Sequence, residues 1–169
     1  MIDWYFFDES RYGQQGNMYR TWADTNTRPR IKKQLGFKSC YLIGAINPAT
    51  GEKTGIVFTT LDTDVMNLFF EEFSSNIPEG HHAIVIWDGA GFHKGKDLNV
   101  PGNITFRMLP PYSPELNPIE RIWQWLKEHY LGNSIYDNME ELFEAGANAW
   151  NQLTNEIVKS VCKVNWLPT

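Results

Sequence analysis

Residues 83–130 carry the most informative pattern of the sequence, AIVIWDGAGFHKGKDLNVPGNITFRMLPPYSPELNPIERIWQWLKEHY. An apolar run at 83–87 predicts a buried strand that ends at Asp88. A second short strand is predicted over 104–108, and the proline-rich segment after it cannot be helical. An amphipathic helix follows, with Glu120 in its first turn. The stretch therefore places one acid after a strand and another at the start of a helix.

A third acid closes an apolar run near the N-terminus. Residues 3–8, DWYFFD, predict a strand with Asp8 at its end, at the rim of the sheet. Sites in α/β sheets form outside the carboxyl ends of neighbouring parallel strands. We therefore expect Asp8 and Asp88 to face one crevice, which a first-turn acid such as Glu120 can also reach.

The remaining strand patterns complete a mixed sheet. Residues 41–47 and 55–60 flank a run of turn residues, which predicts an antiparallel hairpin. Residues 10–40 are interpreted as a long hairpin or excursion with a brief strand at 19–23. Together with the helices, these strands predict an α/β domain with a central mixed five-stranded sheet flanked by helices.

Helical spacing of apolar residues predicts four helices, and a short helix is also expected between Asp88 and the strand at 104–108. The first spans 63–76 and is capped by Asp62; the second begins after Asn117, its expected N-cap. Two more are predicted over 138–152 and 154–163. The side chains expected on buried faces are Val65, Leu68, Phe69, Phe73, Ile119, Ile122, Trp123, Leu126, Tyr130, Leu142, Phe143 and Trp150.

Length and composition indicate one globular domain. The chain has 169 residues, of which 42% are apolar and 21% charged. Its two cysteines, Cys40 and Cys162, form no CxxC pair, which favours a reducing cytoplasmic compartment. No run approaches a membrane span and the N-terminus does not resemble a signal peptide. We expect a soluble cytoplasmic protein without a membrane partner.

The charge distribution leaves a nucleic-acid partner open. A net charge of −5 counts against one, because phosphate binding is usually driven by Lys and Arg. However, RPRIKKQLGFK at 28–38 contains no acid, and two further basic side chains follow Asp88. On this evidence alone, an ordinary solvated loop is the preferred explanation of such a run. The candidate DNA contacts are Arg28, Arg30, Lys32, Lys33, His93 and Lys94.

Three neighbouring carboxylates would need a counter-charge, because like charges raise each other's pKa. Mg²⁺ supplies it and prefers oxygen ligands. Two such ions suit displacement at a phosphodiester, since they can activate the attacking oxygen and stabilise the leaving one. Asp8, Asp88 and Glu120 are therefore candidate metal ligands.

Each acid also has a structural explanation. Glu120 could complete a capping arrangement with Asn117, and Asp88 could cap the turn after its strand. Asp8 could be a surface carboxylate. Glu9 and Glu115 are nearby substitutes as ligands, ranked below the three candidates.

Three blocks carry a resemblance to a known family: FFDES at 6–10, WDGAGFHK at 87–94 and LPPYSPELNPIERIW at 109–123. They resemble the signature blocks of the DDE transposases of the mariner superfamily, including its bacterial insertion-sequence members. The resemblance implies a ribonuclease H-like fold, with Asp8, Asp88 and Glu120 as the catalytic, metal-binding triad. It also implies Mg²⁺ or Mn²⁺ as cofactor, with two ions expected. The implied activity is DNA cleavage at transposon ends and transfer of the freed 3′-hydroxyl into target DNA.

The sequence departs from the family pattern in three respects. Only 31 residues separate Asp88 from Glu120, and Gly89 stands where the family usually has Asn. The helix-turn-helix segment that recognises transposon ends in relatives is not found. We therefore expect 1–169 to be a single ribonuclease H-like DDE catalytic domain without an N-terminal helix-turn-helix domain.

The expected partners follow from the same resemblance. They are transposon-end and target DNA, a second copy of the chain in a synaptic homodimer, and a helix-turn-helix protein encoded in a separate frame. Two other functions stay open at this point. One is a ribonuclease H-like nuclease without strand transfer, and the other is a domesticated DNA-binding module without catalysis.

Overall fold

The computed structural model describes residues 1–14, 19, 23–27, 30, 34–88, 97–111 and 113–164. Within them, five strands form one sheet: β1 (Ile2–Gly13), β2 (Ser39–Ile46), β3 (Lys53–Phe58), β4 (His82–Trp87) and β5 (Ile104–Met108). The α-helices are α1 (Thr63–Asn76), α2 (Ile119–Leu126), α3 (Met139–Asn151) and α4 (Asn155–Val161). A 3₁₀ turn (Pro114–Leu116) precedes α2, and a π-helical turn (Lys127–Leu131) extends it.

The central strand β1 sets the topology of the sheet. The strand order is β3-β2-β1-β4-β5; β1 pairs antiparallel with β2 and parallel with β4. β2 pairs antiparallel with β3, and β4 pairs parallel with β5. The prediction of a mixed five-stranded sheet flanked by helices is therefore confirmed.

The position of Asp8 differs from the prediction. The last residue pair of the parallel β1–β4 ladder is Phe6 with Ile86, whereas the antiparallel ladder with β2 continues to Gly13. Asp8 therefore lies inside a long strand, not at its end, because β2 extends the pairing of β1 beyond the reach of β4. Its carboxylate still lies past the carboxyl end of the parallel ladder.

Helices cover both faces of the sheet, and each face has its own core. Helix α1 packs on the face that carries Tyr5 and Phe7 of β1. Its N-terminus is capped as predicted, since Asp62 accepts a hydrogen bond from the Val65 amide at 3.0 Å. Helices α2, α3 and α4 pack on the opposite face, which carries Phe6 and Tyr12. Asp8 lies on this second face because side chains alternate along a strand.

Several predicted details are wrong. Leu68 is exposed because α1 turns Met66, Phe69 and Phe70 towards the sheet instead. Tyr130 is exposed because α-helical periodicity ends at Leu126, where the π-helical turn begins.

The structure also differs from three further predictions. Phe143 is exposed because α3 faces the core through Leu142, Ala149 and Trp150. Strand β4 alternates between buried and half-buried residues, so only one of its faces is fully covered. Of the brief strand expected at 19–23, the first and last residues are not in a strand, and residues 20–22 lie outside those described.

Two further predictions concern the cysteines and membrane-spanning helices. Both cysteines are free thiols and both are buried. In the part of the chain that the structure describes, no helix has the length and apolar character needed to cross a membrane.

A row of small residues beside Asp8 makes room for two indole rings. Asp8 is opposite Gly44, and Gly44 is opposite Gly55, across three neighbouring strands. A Cβ atom at Gly55 would overlap the Trp150 indole, and one at Gly44 would crowd the rings of both Trp150 and Trp123. The two rings lie 5.9 Å apart, centroid to centroid. The glycines therefore let α2 and α3 bring their tryptophans down onto the sheet.

We predict that Gly44→Ala destabilises the protein by about 1–3 kcal/mol, the usual cost of adding a methyl group to a filled core. The cause is the overlap with Trp150 and Trp123. Equilibrium urea unfolding monitored by tryptophan fluorescence measures the change. Gly102→Ala is the matched control, because a Cβ there meets no atom within 4 Å. Equal stability of the two variants would contradict the packing described here.

Candidate active site

Asp8 is the most deeply buried acid of the candidate site. Its side chain is 9% exposed, and the Trp123 indole Nε1–H donates a hydrogen bond to its Oδ2 at 2.9 Å. Burial raises the pKa of Asp8 to about 8, with smaller contributions from the negative charges of Glu120 and Glu9. The Trp123 hydrogen bond lowers the pKa but does not offset these effects. The carboxylate therefore needs a proton or a cation to be stable in this position.

Glu120 is the acid that interacts with both aspartates. It lies in the first turn of α2, at the margin of the buried face. Partial burial of its carboxyl raises its pKa, the Lys127 ammonium opposes that rise, and the charge of Asp88 adds to it. A hydrogen bond with Asp8 lowers the pKa of Glu120. Glu120 is therefore electrostatically coupled to Asp8 on one side and to Asp88 on the other.

Asp88 directly follows β4 and is exposed. Its charge acts on Glu120, so the three acids lie at the same edge of the sheet. Among the residues that the structure describes, no group of three or more His, Cys, Asp or Glu side chains is arranged to hold a metal ion. The acids thus interact in two pairs that share Glu120, and they do not form a ready-made three-ligand set.

Asn117 fixes the start of the helix that carries Glu120. Its side chain is 4% exposed, and its Nδ2 donates to the carbonyl oxygen of Phe7 at 3.1 Å. Its own backbone carbonyl accepts from the Glu120 amide at 3.1 Å. The predicted N-cap role of Asn117 is wrong, because Pro118 occupies the cap position and no side chain caps the helix. Asn117 instead ties the first turn of α2 to the residue that precedes Asp8.

A family comparison agrees with this geometry. The family model described as DDE superfamily endonuclease matches residues 3–143, most of the chain and all three acids. The chain belongs to the DDE superfamily of endonucleases. The predicted recognition of a DDE transposase-type catalytic domain is confirmed at this level.

Relatives with known sequences or structures support the assignment. The chain is 38% identical over 116 residues to the uncharacterized protein y4pE/y4sA of Sinorhizobium fredii (strain NBRC 101917 / NGR234), over 69% of this chain and 86% of that protein. Its fold is similar to that of the Mos1 mariner paired end complex with Mn, with a TM-score of 0.65, 12% identity and 94% of this chain covered. The Mos1 strand transfer complex gives a TM-score of 0.62, 13% identity and the same coverage.

These structural matches identify the fold of the DDE domain. At such low identity they show that the five-stranded sheet with its helices is the ribonuclease H-like arrangement of Mos1. The fold prediction is thereby confirmed. This chain spans about half of the solved Mos1 chains, 50% of one and 51% of another.

Lys127 is a residue of the DDE domain that sequence reasoning missed. Burial lowers the pKa of Lys127, and the negative charges of Glu120 and Asp8 raise it. Lys127 therefore lies beside Glu120 and Asp8 and neutralises part of their negative charge. Its position seven residues after Glu120 was a usable signal, since seven residues make two helical turns and return to about the same side.

Trp123 was assigned to the core, and its hydrogen bond to Asp8 was missed. Its ring is 3% exposed and packs in the core as predicted. The sequence gives no signal for the hydrogen bond, because Trp123 and Asp8 are 115 residues apart.

The predicted DNA contacts remain predictions. Arg30 is exposed. The other five, Arg28, Lys32, Lys33, His93 and Lys94, lie outside the described residues.

The donor set suits a hard divalent cation. Asp8, Asp88 and Glu120 offer only carboxylate oxygens, which Mg²⁺ and Mn²⁺ accept and which Zn²⁺ sites rarely use alone. The raised pKa of Asp8 shows that local positive charge is insufficient for its ionised form. A bound cation would supply that charge, so the residues present fit the metal that the family implies.

We predict that Asp8→Asn stabilises the metal-free DDE domain at pH 8. Because the pKa of Asp8 rises from 3.8 to about 8 on folding, the wild type loses stability as the pH rises through this interval. The variant should gain at least about 1 kcal/mol at pH 8, roughly 2–4 °C in Tm for a chain of this size. Thermal melts in a chelator at several pH values measure it.

The gain from Asp8→Asn should shrink as the pH falls towards 3.8 and vanish below it, where folded and unfolded wild type both bind the proton. Glu71→Gln is the control, because Glu71 is exposed in the middle of α1 and its substitution should change stability by less than about 0.5 kcal/mol. A difference between wild type and Asp8→Asn that does not vary with pH would contradict the analysis.

We also predict that Asn117→Ala costs about 1–3 kcal/mol and lowers divalent-cation affinity. It removes a buried hydrogen bond to the Phe7 carbonyl and frees the turn that carries Glu120. Calorimetric Mn²⁺ titration at a temperature where the variant is folded measures the affinity. Asn103→Ala is the matched control, since Asn103 also donates to a backbone carbonyl, that of Ser74, but belongs to the α1 side. Equal Mn²⁺ affinity in all three proteins would refute the role of Asn117.

Proposed function

We propose that this chain is the catalytic domain of a transposase, which cleaves DNA at transposon ends and joins the freed 3′-hydroxyl to target DNA. The observation that carries the proposal is the electrostatic coupling of Glu120 to both Asp8 and Asp88 at one edge of the sheet. Membership of the DDE endonuclease superfamily supports it. The likeness to a Mos1 strand transfer complex and a pre-cleavage Mos1 transpososome supports it further.

The proposed cofactor is Mg²⁺ or Mn²⁺, with two ions, held by Asp8, Asp88 and Glu120. Mos1 paired end complexes have been solved with Mn and with Mg, which supports this choice. When bound, such cations lower the energy of phosphodiester displacement by stabilising charge on the attacking and leaving oxygens.

The chain's own residues prepare this site. Trp123 orients the Asp8 carboxyl through its indole hydrogen bond, and the buried surroundings exclude water from it. Asn117 holds Glu120 within reach of Asp8. The Lys127 ammonium offsets part of the negative charge of Glu120 and Asp8. In the proposed reaction it would contact a substrate phosphate.

The wider assembly is part of the proposal. We propose that residues 1–169 act as a single DDE catalytic domain and that a separately encoded helix-turn-helix protein recognises the transposon ends. The chain spans about half of the Mos1 chains that it matches. Bringing two ends together would take a homodimer bound to DNA.

We predict that Asp8→Asn, Asp88→Asn and Glu120→Gln each slow Mg²⁺-dependent nicking of transposon-end DNA by at least about 100-fold, the scale of losing one key electrostatic contact. Each change removes one acidic oxygen donor while keeping the size of the side chain. Denaturing gels of end-labelled DNA measure nicking and, in the same samples, strand-transfer products. The control Glu71→Gln should keep wild-type rates.

The products separate the possible functions. Nicking without strand transfer would indicate a ribonuclease H-like nuclease. DNA binding without nicking by wild-type protein in Mg²⁺ or Mn²⁺ would indicate a non-catalytic DNA-binding module. Full activity in one of the three variants would remove that acid from the site.

A further inference from the structure

A cleft lined by cationic and aromatic side chains, called the cationic cleft below, lies beside Asp8 and Glu120. Neither acid lines it. It has a volume of about 190 Å³ and lies between the end of β1, the start of β2 and the π-helical turn after α2. Among the residues that the structure describes, the charged lining consists of Arg11, Lys38 and Lys127 and includes no Asp or Glu. The chain as a whole has 20 acids and 15 Lys and Arg residues, so a lining with cations alone departs from the average surface.

Aromatic rings complete the lining. Tyr12, Tyr19 and Phe37 line the same cleft. Phe37 is 82% exposed, although burying a phenylalanine ring is normally favourable. Cations that follow a phosphate backbone, together with rings on which bases stack, are the combination that binds single-stranded nucleic acid.

The cleft is structurally built on two sides. The Tyr19 backbone makes reciprocal hydrogen bonds with the Asn133 side chain, each of 3.0 Å. The Tyr19 ring packs against Gly132, where a Cβ atom would overlap both the ring and the Lys127 carbonyl. The Gly132 amide donates to that carbonyl at 2.6 Å and closes the π-helical turn. Single π-helical turns inside helices are frequent at functional sites.

The cleft continues into the site of the acids. A neighbouring depression lined by Glu120 and Trp123 also includes Tyr19 and Lys127, so these two residues belong to both. A DNA strand with one phosphate at Glu120 can therefore place its next nucleotide over Tyr19 and Lys127. That nucleotide would then lie in the cationic cleft. The volume is below the ~300 Å³ of a typical ligand pocket, so the cleft can take part of a nucleotide, such as a base or a phosphate, and cannot take a double helix.

We propose that this cleft binds the unpaired DNA strand next to the scissile phosphate, with Arg11 and Lys38 on its backbone and Phe37 stacked on a base. The inference rests on the proposed function, since it names the path of the substrate of the same site. Arg11 and Lys38 provide affinity without sequence preference, because phosphates carry no sequence information. Phe37 provides stacking, which tolerates every base.

Binding in a chelator separates this inference from catalysis. The probe is a fluorescein-labelled single-stranded oligothymidylate of about 10 nucleotides, within the ~4–16 range of single-strand sites. Fluorescence anisotropy at several salt concentrations gives Kd and its salt dependence. The Arg11→Ala/Lys38→Ala double variant should bind at least about 10-fold more weakly, and its salt slope should fall by about 1.4, which is 0.7 for each lost phosphate contact. Phe37→Ala should bind at least about 5-fold more weakly with the slope unchanged.

Two control proteins match these changes. Arg107→Ala/Lys159→Ala removes the same net charge at two exposed positions outside the cleft. Leu35→Ala removes a side chain that is 76% exposed, two residues before Phe37, and not part of the lining. Both controls should bind the oligonucleotide as the wild type does. All six positions are exposed, so the variants should remain folded, which circular dichroism checks.

Three results would overturn the inference. The first is wild-type affinity in both cleft variants. The second is an equal loss in the charge control, which would indicate a general charge effect. The third is an equal loss for a duplex of the same length, which would indicate a duplex-binding surface. If the cleft variants lose binding as expected but wild type never nicks DNA, the cleft stands and the proposed function fails. If wild type nicks DNA while the cleft variants bind the oligonucleotide with wild-type affinity, the proposed function stands and the inference about the cleft fails.

Discussion

The buried carboxylate of Asp8, held by the Trp123 indole, is the constraint on which the rest of the site depends. A carboxylate that is 9% exposed and lies beside Glu120 is unstable as an anion, and burial raises its pKa to about 8. Proteins retain such groups where function requires them, because an apolar residue would be more stable in the same place. In this domain the Lys127 ammonium lies close enough to Asp8 and Glu120 to offset part of their negative charge.

The fold creates this environment through specific packing. The glycine row of β2 and β3 admits the Trp123 and Trp150 rings, and Trp123 in turn reaches Asp8. The Asn117 amide fixes α2 to β1 one residue before Asp8, so Glu120 enters the site at a defined position. The same helix then continues into a π-helical turn that presents Lys127 to both the acids and the cationic cleft. Helix α2 and the π-helical turn after it therefore connect Asp8 and Glu120 to the proposed path of the DNA strand.

Local sequence patterns predicted the elements of the fold, whereas the assignment of Asp8, Asp88 and Glu120 as the site acids stays a prediction. The apolar run at 83–87, the hairpin strands and the helix at 63–76 follow directly from periodicity and turn residues. Details that depend on tertiary pairing were not predictable. Asp8 is internal to its strand only because β2 extends the ladder. Asn117 does not cap α2 because Pro118 occupies the cap position, and its side-chain Nδ2 donates to the Phe7 carbonyl instead. Leu68 is exposed because the sheet selects a neighbouring face of α1. Each of these depends on a partner distant in sequence.

Joint binding of divalent cations by Asp8, Asp88 and Glu120 can be tested by anomalous X-ray scattering from crystals of this protein soaked in Mn²⁺. We expect anomalous density between the three carboxylates, with Glu120 rotated so that its oxygens join those of the two aspartates. Anomalous density only at other acids, or none while the three carboxylates stay apart, would contradict it.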